Sequence, residues 1–202
     1  DFGTNTYGIY TSLMLCLGPN EASVCEMVSA YTTFANHGIH TSPIFVSKIE
    51  DSDGNVITNF QPRMNEVISE ESAYKMLEIL MSVIEHGTGG RRRYKYNIDC
   101  QMGGKTGTTN KNADAWFMGF TPSLVSGCWV GGEDRDIHFD TTRMGQGATM
   151  ALPIWAYYMK KVFADKTLGY DPKETFDIPE DFNPCSSEDD NNGQYSIEDI
   201  YE

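Results

Sequence analysis

The run Gly103-Gly104-Lys105-Thr106-Gly107-Thr108-Thr109 sets one cation and three hydroxyls on what is otherwise bare backbone. Thr favours a pleated surface and Gly leaves the backbone open to close approach, so the run predicts a short strand. On such a strand Lys105 can hold an anion. An ammonium–carboxylate hydrogen bond in a partly dry cleft contributes about 1.5–3 kcal/mol, and the hydroxyls of Thr106 and Thr108 can share it. The uncovered backbone at Gly107 would let an extended peptide add itself as a further strand. Lys105, Thr106, Gly107 and Thr108 are therefore the candidate site residues.

Two readings of this string imply different chemistry. Gly104-Lys105-Thr106 matches the end of the phosphate loop of nucleotide hydrolases, G-x-x-x-x-G-K-S/T. The opening Gly of that pattern would fall at Asp99, a carboxylate where phosphate charge would sit, and the loop should run into a helix. Instead the chain continues Gly107-Thr108-Thr109-Asn110-Lys111-Asn112, a breaker followed by poor helix formers. The second reading is the K-T-G element of penicillin-binding proteins and β-lactamases. Here the flanks agree as well: Gly104-Lys105-Thr106-Gly107-Thr108-Thr109-Asn110 runs on to Asp114-Ala115-Trp116-Phe117-Met118-Gly119-Phe120-Thr121-Pro122. That stretch, with Glu26-Met27-Val28-Ser29-Ala30-Tyr31-Thr32-Thr33-Phe34-Ala35-Asn36-His37-Gly38, resembles the transpeptidase domain of bifunctional (class A) penicillin-binding proteins. The resemblance extends over the chain to about Asp165 and corresponds to that domain's C-terminal part.

The resemblance implies an α+β fold, an antiparallel sheet flanked by helices, as part of the penicillin-binding, β-lactamase-like transpeptidase fold. It implies a peptidoglycan D,D-transpeptidase: a Ser attacks the penultimate D-Ala of a stem peptide, releases the terminal D-Ala and passes the acyl group to an amine, and β-lactams trap the same Ser. Lys105 would then order the hydroxyls and attract the substrate carboxylate, which Thr106 and Thr108 would hydrogen-bond. The Thr108 N–H would be one oxyanion-hole donor. Strict strand alternation puts Lys105 and Thr106 on opposite faces, so periodicity does not explain how both reach one site. The nucleophile with its S-x-x-K lysine, the S-x-N motif, a glycosyltransferase domain and a membrane anchor on the periplasmic or extracytoplasmic side would belong to a remainder of the parent chain. An opening Asp1 rather than Met fits an excised piece, inert by itself. Two alternatives stay open beside it: a nucleotide-binding hydrolase with a degenerate phosphate loop, and a non-catalytic cell-wall peptide-binding module.

One S-x-x-K does occur, at Ser72-Ala73-Tyr74-Lys75. In the family the order is S-x-x-K, S-x-N, K-T-G, and no S-x-N lies between Ser72 and Lys105, so this match is not the catalytic pair.

Composition narrows the partners. With 202 residues, 40% of them hydrophobic, the chain can bury a sizeable core. From position 165 to the end there are twelve Asp and Glu against two Lys, so −10 of the −14 net charge belongs to a tail. The domains expected are thus 1–165, the transpeptidase part, and 166–202, an acidic, flexible or loosely docked tail. Nucleic acid is not expected as a partner, because the basic cluster Arg91-Arg92-Arg93-Tyr94-Lys95 reads as a solvated loop. Five cysteines (Cys16, Cys25, Cys100, Cys128, Cys185) show no ligand spacing, and the histidines at 37, 40, 86 and 138 are scattered, so no metal or other cofactor is expected. Glu133-Asp134-Arg135-Asp136 reads as a polar turn after a strand.

The positioning elements follow from local signals. Ser23 and Glu26 form a capping box before a helix that stops at Gly38. Apolar runs 44–49 and 56–60 flank Asp51-Ser52-Asp53-Gly54-Asn55, a hairpin signal. Ser69 caps a second helix with apolar positions at 73, 76, 77, 80 and 84. Strands are expected over 99–109, 115–120 and 124–130, forming a meander, and Gly145-Gln146-Gly147 introduces a helix over about 150–163 that covers the sheet.

Overall fold

The computed structural model describes residues 21–88, 90, 95–180 and 182, and its first element starts at the predicted cap. The Ser23 hydroxyl accepts the Glu26 N–H while the Glu26 carboxylate accepts the Ser23 N–H at 2.8 Å, so helix α1 (Val24–Ala35) opens on a complete capping box. Gly38, with φ at +90°, turns the chain out of that helix, a left-handed conformation that suits glycine. Strand β1 (Ile39–Thr41) pairs antiparallel with β4 (Met64–Glu66). Between them β2 (Lys48–Glu50) and β3 (Val56–Asn59) form the predicted hairpin, with Asp51 Oδ1 accepting the Asp53 and Asn55 N–H groups at 2.9 and 2.8 Å.

Helix α2 (Glu70–Glu85) is capped by Ser69 and buries Ala73, Tyr74, Leu77, Leu80, Met81 and Ile84. Met76, expected in that stripe, faces outward at 37% exposure, because the buried arc is centred on 77 and 80 and takes in Tyr74 and Met81 instead. Strands β5 (Gly103–Thr108), β6 (Asp114–Phe120) and β7 (Val125–Gly131) make the antiparallel meander in the order β5-β6-β7. β5 begins at Gly103 rather than near 99 because Gly103 pairs with Phe120, the last residue of β6. A short helix, α3 (Thr142–Gly145), precedes α4 (Gly147–Ala164), which starts three residues before the expected position.

Helices cover both faces of the sheet. On one, Trp155 of α4 meets Phe117 edge to face at 5.0 Å and donates its indole N–H to Ser126 Oγ at 2.7 Å. Phe117 and Trp155 are buried together with Ala151, Leu152, Ala156 and Met159; complete burial of one Phe stabilises by about 1.5–3 kcal/mol. On the other face Tyr31 of α1 packs against Phe120 at 6.1 Å. This is the expected α+β arrangement of an antiparallel sheet between helices.

Past residue 165 the described chain is at first mostly exposed and then returns to the core. Ser123 Oγ donates to Glu174 at 2.6 Å, the Phe176 N–H donates to Gln101 Oε1 at 2.6 Å, and Phe176, Ile178 and Phe182 pack against the cluster of Tyr74, Leu77, Leu80, Met81 and Phe120. The stretch 174–182 is therefore a docked strap, since its three apolar side chains interrupt the acidic composition. Cys25 and Cys128 are free thiols, and Cys100 is buried. Cys16, Cys185, the apolar run 13–17, Arg91 to Tyr94 and the end of the acidic tail lie outside the described residues.

Candidate functional site

The outer edge of β5 is where the candidate residues meet. The Thr109 N–H donates to the Asp114 carbonyl at 3.1 Å, and in an antiparallel pair the residues bonded to the partner alternate. Gly103, Lys105 and Gly107 therefore bond to β6, while the N–H and C=O groups of Gly104, Thr106 and Thr108 point outward. Among the described residues no strand pairs with that edge.

Side chains follow the register. Lys105 lies opposite Met118 on the α1 face; Thr106 and Thr108 lie opposite Phe117 and Ala115 on the α4 face. The Lys105 side chain then turns along the strand, and Nζ donates to the Thr106 carbonyl at 2.7 Å. Alternation thus separates the cation from the hydroxyls by face, and the open edge brings them back together. The Thr106 hydroxyl is 2.8 Å from that of Thr88, just past the end of α2.

Thr108 is held by the opposite helix. Its Oγ1 accepts the Gly147 N–H at 3.0 Å, and since Gln146 makes no side-chain cap, the strand itself satisfies one donor of the first turn of α4. A hydroxyl has one donor and two lone pairs, so this acceptance leaves the Thr108 O–H available to an incoming anion. The positive end of the α4 dipole points the same way. Close approach is what requires glycine at 147: a Cβ there would lie 2.6 Å from the Gly107 carbonyl oxygen and against that of Trp116.

Asp114 fixes the far end of β5. One carboxylate oxygen accepts the Trp129 indole N–H at 3.0 Å and the other accepts the Thr109 hydroxyl at 3.1 Å, tying all three strands. In the intervening turn, Lys111 and Asn112 are left-handed, and Asn112 Nδ2 donates to the Phe139 carbonyl at 3.0 Å. Sequence reasoning missed Thr88, Asp114, Trp129 and Gly147. The only signals were Gly145-Gln146-Gly147 before a helix and a Thr-Gly pair after one.

The remaining candidates stand elsewhere. The phosphate-loop reading fails, because the chain stays in a strand past Thr106 and then enters a 3₁₀ turn, Asn110–Asn112, where a helix would be needed. Ser72 accepts from the Ser69 hydroxyl at 2.9 Å in the first turn of α2, and Lys75 is ion-paired with Glu71. Ile84 is the α2 residue beside Gly104 of β5, twelve positions on and about 18 Å along the axis at 1.5 Å per residue. Glu133 to Asp136 form an exposed turn, with Asp134 Oδ1 accepting the Asp136 N–H at 2.9 Å.

His37 Nδ1 lies 2.8 Å from the Tyr74 hydroxyl, which donates to Glu70. Burial first and that bond second push the Tyr74 phenol up to about 12. His40 is buried in β1 with Nε2 2.7 Å from Ser29 Oγ, and burial holds its pKa below the usual histidine value. Among the described residues no three His, Cys, Asp or Glu side chains gather as a metal-holding group.

With this geometry in place, the kinship of the chain is plain. The family model of the penicillin binding protein transpeptidase domain matches residues 5–127, a span that includes β5 and β6. The chain belongs to that family. Penicillin-binding protein 1A of Aquifex aeolicus is 37% identical over 165 residues, covering 82% of this chain and 21% of the relative. Penicillin-binding protein 1A of Neisseria meningitidis is 35% identical, covering 79% of this chain and 20% of its own length. The chain thus spans about a fifth of the length of the curated relatives it matches. Among solved structures, penicillin-binding protein 1A from Haemophilus influenzae superposes with a TM-score of 0.76 at 28% identity, covering 89% of this chain and 31% of that one. PonA1 from Mycobacterium tuberculosis in complex with penicillin V gives a TM-score of 0.67 at 27% identity, covering 84% of this chain and 44% of that one.

Proposed function

We propose that this chain supplies the K-T-G edge strand of a serine-type peptidoglycan D,D-transpeptidase whose nucleophile, S-x-x-K lysine and S-x-N motif lie in a part of a longer protein not contained in these 202 residues. The observation that carries this reading is the meeting of Lys105, Thr106 and Thr108 at the edge of β5 that no described strand pairs with. A stem peptide ending in D-Ala-D-Ala would lie along that edge as an added strand, its terminal carboxylate taken by the Lys105 ammonium and the hydroxyls of Thr106 and Thr108. Gly107 keeps the strand surface low, and the outward Thr108 N–H would donate to the oxyanion.

The incoming Ser hydroxyl would lose its proton to a base in the remainder of the protein and attack the penultimate D-Ala carbonyl. The C–N bond would break, D-Ala would leave with a proton, and an acyl ester would remain. An amine of a neighbouring stem peptide would then take the acyl group and regenerate the hydroxyl. Penicillins would enter through the same carboxylate contacts and stop at the ester. Residues 1–165 would form the transpeptidase part, and 166–202 an appendage docked through 174–182. The longer protein would face the periplasm or the extracytoplasmic side, anchored through its other part; among the described residues no helix is long and apolar enough to cross a membrane.

Fluorescent penicillin tests the reading directly. Denatured after incubation, the isolated chain should carry no covalent label, and the longer protein should carry one on a Ser outside these residues. Ser72→Ala should leave labelling unchanged, whereas an adduct mapped to Ser72 contradicts the assignment.

A further inference from the structure

The contact between Thr88 and Thr106 has no counterpart in the K-T-G string. Helix α2 ends at its cap His86, and the chain turns, with the Gly87 N–H donating to the Val83 carbonyl at 3.1 Å and the Gly90 N–H to the Gly87 carbonyl at 3.2 Å. A Cβ at Gly87 would lie 2.7 Å from the Val83 carbonyl oxygen, so the turn is tightly seated on α2. α2 is in turn fixed against the sheet, because Ile84 packs where Gly104 leaves room. This chain of contacts delivers the Thr88 hydroxyl to 2.8 Å from the Thr106 hydroxyl.

We propose that Thr88 is a positioning residue: its hydroxyl donates to Thr106, fixes the Thr106 rotamer and leaves the single Thr106 proton aimed at the carboxylate of the acyl donor. This rests on the K-T-G reading of β5 and deepens it. Thr106 has one proton to give, and it reaches a carboxylate only if the contact with Thr88 runs in the other direction. A bound anion selects that direction, since a carboxylate only accepts. Two hydroxyls in series also polarise one another, so the second donates more strongly. Without Thr88 the Thr106 side chain would be free to rotate about χ1, and its proton would be shared among solvent, backbone and ligand.

The test uses the longer protein that contains this chain, with Thr88→Val, Thr88→Ser, Thr106→Val and the Val/Val double variant. The readout is the second-order rate of acylation by a penicillin and by the methyl ester of the same penicillin. Thr88→Val should slow acylation by the free acid about 3- to 10-fold, the worth of one neutral hydrogen bond. The ester should change by less than about twofold on the same scale, and Thr88→Ser should keep the wild-type rate. In the Thr106→Val background, Thr88→Val should add almost nothing, because the two act as one unit. Equal slowing of acid and ester, a wild-type rate for Thr88→Val, or multiplied effects in the double variant each overturn the role given to Thr88. A silent Thr106→Val with the free acid instead removes the K-T-G reading itself, and the role of Thr88 goes with it.

Discussion

Thr108 Oγ1 accepts the backbone N–H of Gly147 at 3.0 Å, so the outer strand of the sheet caps the helix that covers it. The same side chain thus ties α4 to β5 and lines the open edge. Folding of this corner and readiness of the site are one arrangement.

Removing that hydroxyl should cost what a lost cap costs. Thr108→Val is expected to destabilise by about 0.5–2 kcal/mol, and Thr108→Ser, which keeps the oxygen, by much less. Chemical denaturation of the two variants compares them; equal losses would show that the methyl group rather than the cap matters.

Gly147→Ala tests the same corner from the helix side. The added Cβ has nowhere to go between the Gly107 and Trp116 carbonyl oxygens, so α4 must shift at a cost of about 1–3 kcal/mol. A melting temperature equal to that of the wild type would mean that the helix terminus is looser than described.

The strap should be part of the cooperative fold. Phe176 meets Phe120 at 5.8 Å and Phe182 meets Tyr74 at 5.5 Å, so cutting the chain after Asp165 would open an aromatic cluster to water. Such a truncation should lower the melting temperature markedly and expose dye-binding apolar surface. An unchanged melting curve would return the whole of 166–202 to a separate tail.

Stability should also fall in mild acid through His40. Its pKa in the folded chain lies below the ordinary value because it is buried against Ser29. Above about pH 6.5 both states hold the ring neutral, and below it the unfolded chain takes up the proton first, so stability is lost as pH drops. Melting curves from pH 7.5 to 5 for wild type and His40→Asn should converge toward low pH. Parallel curves would assign the acid loss to other groups.

Much of this was legible because its causes are local. The Ser23 and Glu26 box, the Asp51 to Gly54 turn and the cap at Ser69 are each written within a few residues, and all three form. The meander could be read because Thr121-Pro122-Ser123 and the Asn110 to Asn112 stretch punctuate one Thr- and Gly-rich run and two more apolar ones. What escaped depends on contacts across the fold. Period-two alternation assigns side chains to faces and is silent about edges, so the reach of Lys105 to the Thr106 carbonyl was invisible. The early start of α4 was hidden because its cap is Thr108, 39 residues before Gly147. Composition averaged over 166–202 concealed Phe176, Ile178 and Phe182 among the acids, and burial of His40 follows only from its pairing with Ser29.

If the edge of β5 takes the carboxylate of the acyl donor as proposed, Lys105→Ala in the longer protein should separate acylation from folding. Lys105 is exposed and its ammonium bonds only to a neighbouring carbonyl among the described contacts, so its loss should barely change stability. Loss of a charge-assisted contact worth about 1.5–3 kcal/mol should slow acylation by a labelled penicillin at least about tenfold. Acylation should fall while the melting temperature holds. Acylation unchanged in the folded variant, or lost only in step with stability, would rule out that role for Lys105.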